Sequence, residues 1–117
     1  PRQNYLFISN HRDITLDPAL LNYAIFQHGH KTFNIAIGDN LINDSWVSDL
    51  MRLNKSFIIK RSGSSKKEIY KSLKLASEFI GFKILNSDES VWIAQRQGRA
   101  KDGIDTTDSS ILKMIYL

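Results

Sequence analysis

The chain has 117 residues, 42% hydrophobic, 24% charged and 10% aromatic, the composition of one globular domain rather than of a disordered tail or a repeat array. It has no Cys, which excludes disulfide scaffolds, thiolate metal sites and cysteine nucleophiles. The 16 Lys+Arg against 12 Asp+Glu leave a charge of +4, a mild basic excess that suits nucleic acid, an anionic lipid surface or a phosphorylated substrate without choosing among them.

Tyr5-Leu6-Phe7-Ile8 is a short apolar, β-favouring run that ends at polar Ser9-Asn10-His11 and reads as a buried strand. Asp17-Pro18 then supplies a helix cap and a first-turn Pro, with apolar residues continuing to Phe26. Phe33 to Ile37 is a second strand closed by Gly38-Asp39-Asn40, and Leu41 to Leu53 carries Leu41, Trp46, Val47, Leu50 and Leu53 at helical spacing. Phe57-Ile58-Ile59 is a third strand and Ser62-Gly63-Ser64-Ser65 a turn and cap, after which Ile69, Leu73, Ala76 and Ile80 step along one helix face. Val91-Trp92-Ile93-Ala94 is a fourth strand, followed by a polar loop from Gln95 to Asp108 and a last helix carrying Ile111, Leu112 and Ile115. Strands alternating with helices predict an α/β fold, a mainly parallel central sheet with helices on both faces. The chain opens close to a strand and stops on apolar ILKMIYL, as expected of a single domain over 1–117 that is a fragment lacking N- and C-terminal parts. There is no run of about 18 apolar residues to cross a membrane, and PRQNYLFISN does not read as a signal peptide.

Ligand sites of parallel sheets collect where the strands end. Asn10-His11-Arg12-Asp13, Lys60-Arg61-Ser62-Gly63 and Gln95-Arg96-Gln97-Gly98-Arg99 all leave C-terminal strand ends, which brings a His, carboxylates and several Arg to one edge. Either Asp13 or Asp17 can accept from one ring nitrogen of His11 and leave the other as a general base for a hydroxyl; the plain alternative is a loop His making a capping bond. Arg61 with Lys60 suits a phosphate, by charge and by fork-shaped hydrogen bonds, or else is a solvated strand-end charge pair. Arg96 and Arg99 flank Gly98, where the missing side chain lets backbone approach a ligand closely.

Other patterns fall away. His11-Arg12-Asp13 opens like a protein-kinase catalytic loop, but Pro18 stands where that loop needs Asn. His28-Gly29-His30 fits a helix C-terminus better than a metal site, and no metal is expected. The fingerprints GxSxG, Walker A and GxGxxG are absent. Lys66, Lys67, Lys71 and Lys74 form a basic helix flank that reads as a solvated face, or one that meets anionic lipid; Trp46 and Trp92 read as packing residues. No aromatic-basic interleaving suggests a nucleic-acid partner.

Asn10-His11-Arg12 followed by Leu16-Asp17-Pro18 resembles the first motif of the phospholipid/glycerol acyltransferase family, which includes glycerol-3-phosphate and 1-acylglycerol-3-phosphate acyltransferases. Phe57-Ile58-Ile59-Lys60-Arg61 resembles its second block, an apolar strand ending in Arg, and Ile93 to Arg99 its third, normally Phe-Pro-Glu-Gly-Thr-Arg. The resemblance covers residues 8 to 99. It departs in three places: Asp17 lies one residue later than the family's His, four residues, Asp; Gln97 stands for Glu; and Arg99 stands for Thr, with Ala100 at the family's Arg.

The resemblance implies a glycerol-3-phosphate acyltransferase-like fold. It also implies that His11 deprotonates the acceptor hydroxyl, with Asp17 or Asp13 orienting it and no acyl-enzyme. Lys60, Arg61, Arg96, Gln97, Gly98 and Arg99 are the implied holders of the acceptor phosphate. The donor is acyl-CoA or acyl carrier protein as cosubstrate, with no other cofactor, and the acceptor is lysophosphatidic acid or glycerol-3-phosphate in phospholipid biosynthesis. Work of that kind implies a membrane-associated protein, cytoplasmic and peripheral at the inner face of the cell membrane. The alternative is a non-catalytic lipid- or phosphate-binding module that retains the fold.

Overall fold

A computed structural model describes residues 3–13, 16–39, 45, 46, 49, 53–60, 65–96, 98 and 100–117. Within them the chain runs β1 (Leu6–Ser9), α1 (Leu16–Gln27), β2 (Asn34–Gly38), β3 (Ser56–Ile59), α2 (Lys66–Asn86), β4 (Val91–Ala94) and α3 (Ser109–Ile115). The four strands form one all-parallel sheet in the order β1-β4-β2-β3, the α/β architecture that the alternation predicts. The helix expected over 41–53 and the turn at 62–64 fall largely outside the described residues.

β4 enters between β1 and β2 and is covered on both faces, so its apolar run is uninterrupted and Val91, Trp92 and Ile93 are all buried. The strand period of two sorts the two faces. Val91 and Ile93, with Ile59, meet Ala76 and Ile80 of α2 and Ile111 and Met114 of α3. Trp92 joins Phe33, Ile35 and Ile37 on the other face, where Leu21 and Ile25 of α1 pack. Each fully buried large side chain here, such as Phe33 or Ile111, contributes about 1.5–3 kcal/mol. On α3 the buried partner of Ile111 is Met114, three residues on, whereas Leu112 is 46% exposed.

Local chemistry sets the helix ends. The Ser65 hydroxyl accepts the Glu68 N–H at 3.2 Å and starts α2. Lys66, Lys67, Lys71 and Lys74 lie exposed along its first half, as a solvated face requires. α1 ends as the His-Gly-His pattern predicts: Gly29 has φ 78, its N–H bonds Phe26 O at 3.0 Å, and the His30 N–H bonds Ile25 O at 3.1 Å. Along α1, Pro18 is buried and Leu21 and Ile25 face the sheet, while Leu16, Leu20, Tyr23 and Phe26 are exposed, an apolar stripe on the outer side.

The N-terminal edge of the sheet is tied by charge. The Glu89 carboxylate accepts from Lys83 Nζ at 2.6 Å, Lys55 Nζ at 3.0 Å and Asn34 Nδ2 at 3.1 Å, so residues beside β2, β3, β4 and α2 meet at one acid. These bonds, Lys83 first, lower the Glu89 carboxyl from 4.5 to about 2. A depressed carboxylate stabilises the fold above its unfolded value and loses that contribution as pH falls toward the folded one. The Glu89→Gln protein is therefore expected to be less stable by about 1–2 kcal/mol at pH 7, the partly exposed side chains being screened by water. Its deficit should shrink between pH 4.5 and about 2, measured by urea unfolding across that range.

Candidate active site

Past the end of β1 the chain stays against β4: Ser9 O accepts the Gln95 N–H at 2.9 Å, and the Trp92 indole N–H donates to Ser9 Oγ at 3.0 Å. This holds His11 at the C-terminal edge, 8% exposed, with its ring 5.7 Å from the Trp92 ring in an edge-on arrangement. Trp92 is thus core on one side and a wall of the site on the other.

The two candidate carboxylates have separate jobs. Asp17 lies in the first turn of α1, where side chains lean back toward the helix N-terminus. Its Oδ2 accepts the backbone N–H groups of Arg12 at 2.6 Å and Asp13 at 3.0 Å, and faces His11 Nδ1 at 3.4 Å, an ion-pair distance without hydrogen-bond geometry. Asp13 Oδ1 accepts the Leu16 N–H at 2.8 Å, satisfying an orphan donor of the helix start. The capping role expected of Asp17 is therefore filled by Asp13, and Asp17 sits inside the helix facing the imidazole.

The loop after β4 closes over the same point. Ala100 N–H donates to His11 O at 2.8 Å, and the His11 N–H donates to Asp105 Oδ2 at 3.0 Å. Asp105 is absent from the sequence reading, although a signal was present. Asp102-Gly103 is a turn pair, and here Asp102 Oδ1 accepts the Ile104 N–H at 3.1 Å and Gly103 has φ 81, which folds the loop back onto the sheet edge.

The basic residues divide. Arg96 points into this loop, its Nε 3.6 Å from Asp105 Oδ1 and one Nη donating to Ile104 O at 3.4 Å, so its charge already faces a carboxylate. Lys60 is exposed at the end of β3, three strand spacings or about 14 Å of sheet from β1. Gly98 has φ 74, and a Cβ there would meet nothing within 4 Å. Arg61, Gln97 and Arg99 lie outside the described residues. A cleft of about 450 Å³ lies away from His11, beside Asn4, Tyr5, Gly29 and Ser90, and the Lys31–Asp88 ion pair of 2.6 Å contributes to its lining. Among the described residues no cluster of His, Asp or Glu is arranged to hold a metal ion.

An imidazole thus faces an anchored carboxylate at the C-terminal edge of a parallel sheet, where the ligand sites of α/β proteins collect. The family model described as Acyltransferase matches residues 1–102, and the chain belongs to this family, the phospholipid/glycerol acyltransferases. No curated protein matched the chain. The family carries acyl transfer, with an acyl donor and a lipid-type acceptor.

Because Gly98 has open space but a left-handed backbone, Gly98→Ala is expected to cost about 1–2 kcal/mol through conformation alone. Gly98→Asn should cost less, the two being compared by thermal unfolding.

Proposed function

We propose that the protein moves a fatty acyl group from acyl-CoA or acyl carrier protein to the hydroxyl of a glycerol-phosphate-type acceptor, 1-acylglycerol-3-phosphate in phospholipid synthesis. The observation that carries this reading is His11 Nδ1 facing the anchored Asp17 carboxylate at 3.4 Å in a member of the acyltransferase family. Asp17, fixed by two backbone N–H groups, orients the imidazole and leaves Nε2 to meet the acceptor. His11 takes the hydroxyl proton as the oxygen attacks the thioester carbonyl. The carbon–sulfur bond then breaks, and the imidazolium returns the proton to the departing thiolate.

The β4–α3 loop leaves the strand next to β1, which supports its Gly98 turn as a holder of the acceptor phosphate, with Gln97 and Arg99 beside it in sequence. Lys60 stands exposed at the end of β3, with Arg61 next to it in sequence, and Arg96 contributes a charge shared with Asp105. The exposed stripe of Leu16, Leu20, Tyr23 and Phe26 begins beside Asp17, which supports a lipidic substrate and work at a membrane surface, on this proposal the cytoplasmic one. Among the described residues no helix is long and apolar enough to cross a membrane.

The test is release of free thiol from acyl-CoA, or from acyl carrier protein, with lysophosphatidic acid or glycerol-3-phosphate as acceptor. His11→Ala is expected to lower kcat by about 10²–10⁴-fold and Asp17→Asn by about 10²-fold. Asp13→Asn, which keeps an acceptor for the Leu16 N–H, should change kcat by less than about threefold. Full activity of His11→Ala would overturn the mechanism. Acceptor binding without turnover by the wild type would favour a binding module.

A further inference from the structure

The Asp105 side chain is 4% exposed. Burying a carboxylate so deeply costs several kcal/mol unless partners offset it. Its partners are both at the site: Oδ2 accepts the His11 N–H at 3.0 Å, and Oδ1 faces Arg96 Nε at 3.6 Å, an ion pair without hydrogen-bond geometry. The backbone carrying it is fixed as well, since Gln95 Nε2 donates to Asp105 O at 2.7 Å. His11 is therefore held between two carboxylates, Asp17 on the ring and Asp105 on the main chain.

We infer that Asp105 is a positioning residue for acyl transfer, acting through His11: by accepting the His11 N–H it sets where the imidazole stands relative to Asp17. The inference rests on His11 being the base. Loss of the bond lets the His11 backbone shift, and a displacement of about 1 Å at a catalytic group costs on the order of 10²-fold in rate. The accepting oxygen does this, so the amide of Asn can replace the carboxylate, whereas an apolar side chain cannot.

The experiment compares Asp105→Ala, Asp105→Asn and wild type in the thiol-release assay, with kcat taken per folded molecule by circular dichroism. Asp105→Ala is expected to lose about 30–100-fold in kcat with the KM for lysophosphatidic acid within about threefold. Asp105→Asn should recover to within about tenfold of wild type, a rescue that general destabilisation does not produce. A kcat for Asp105→Ala within threefold of wild type overturns the inference, as does an Asn variant no better than Ala. Hydrogen exchange at the His11 amide decides the matter even if Asp105→Ala does not fold. Protection is expected in wild type and in Asp105→Asn, and rapid exchange in wild type overturns it. Activity in His11→Ala would defeat the functional reading itself. Inactivity of His11→Ala beside full activity of Asp105→Ala would defeat this inference alone.

Discussion

The insertion of β4 between β1 and β2 is the constraint on which the rest of the structure depends. The last strand in the chain becomes an inner one, and its parallel pairing with β1 from Leu6↔Val91 to Ser9↔Ala94 brings two loops distant in sequence out of the sheet side by side. The loop after β1 carries His11 and the loop after β4 carries Ala100 and Asp105. Two backbone-directed bonds join them, the Ala100 N–H to His11 O and the His11 N–H to the Asp105 carboxylate. The same insertion buries Trp92, whose indole holds Ser9 and whose ring stands against His11. Core packing and site geometry are thus two faces of one strand.

Much of this was legible in the sequence because the relevant signals are local. Each apolar run is bounded by polar residues, and the 3.6-residue step from Ile69 to Ile80 is a property of α2 alone. The parallel sheet followed from the connections being long enough to hold helices. Strand order was not legible, because it is decided by which apolar faces fit together after the helices have formed, and no short stretch encodes that. Asp105 escaped for the same reason: its partner is 94 positions away, and in sequence it is one more acid in a polar loop. That Met114 rather than Leu112 joins Ile111 in the core was not legible either, because both are apolar and the helix phase of a seven-residue segment is set by the surface it meets.

The choice between Asp13 and Asp17 shows how helix geometry absorbs a shift in spacing. Asp17 stands one residue later than the family pattern, which in an extended loop would turn it to the opposite side. It lies instead in the first turn of a helix, whose side chains incline toward the N-terminus, so its carboxylate reaches back over the Arg12 and Asp13 N–H groups to the imidazole. Asp13 takes the Leu16 N–H that a cap would satisfy. The extra residue is accommodated by moving the capping bond upstream.

The two edges of the sheet handle charge in opposite ways, and the contrast bears on where the proposed function sits. At the N-terminal edge Glu89 collects two ammonium groups and an amide, each close enough for a hydrogen bond, and the arrangement ties α2 to the strand starts. At the C-terminal edge the facing pairs stand slightly apart, His11 from Asp17 at 3.4 Å and Arg96 from Asp105 at 3.6 Å, neither with hydrogen-bond geometry. A fully made pair resists rearrangement; an imidazole facing a carboxylate without a closed bond can still adjust as it takes and returns a proton. The backbone around it cannot adjust, because the His11 amide and carbonyl are both held. Freedom is confined to the ring and removed from the chain that carries it, the division of labour that the general base proposed here requires.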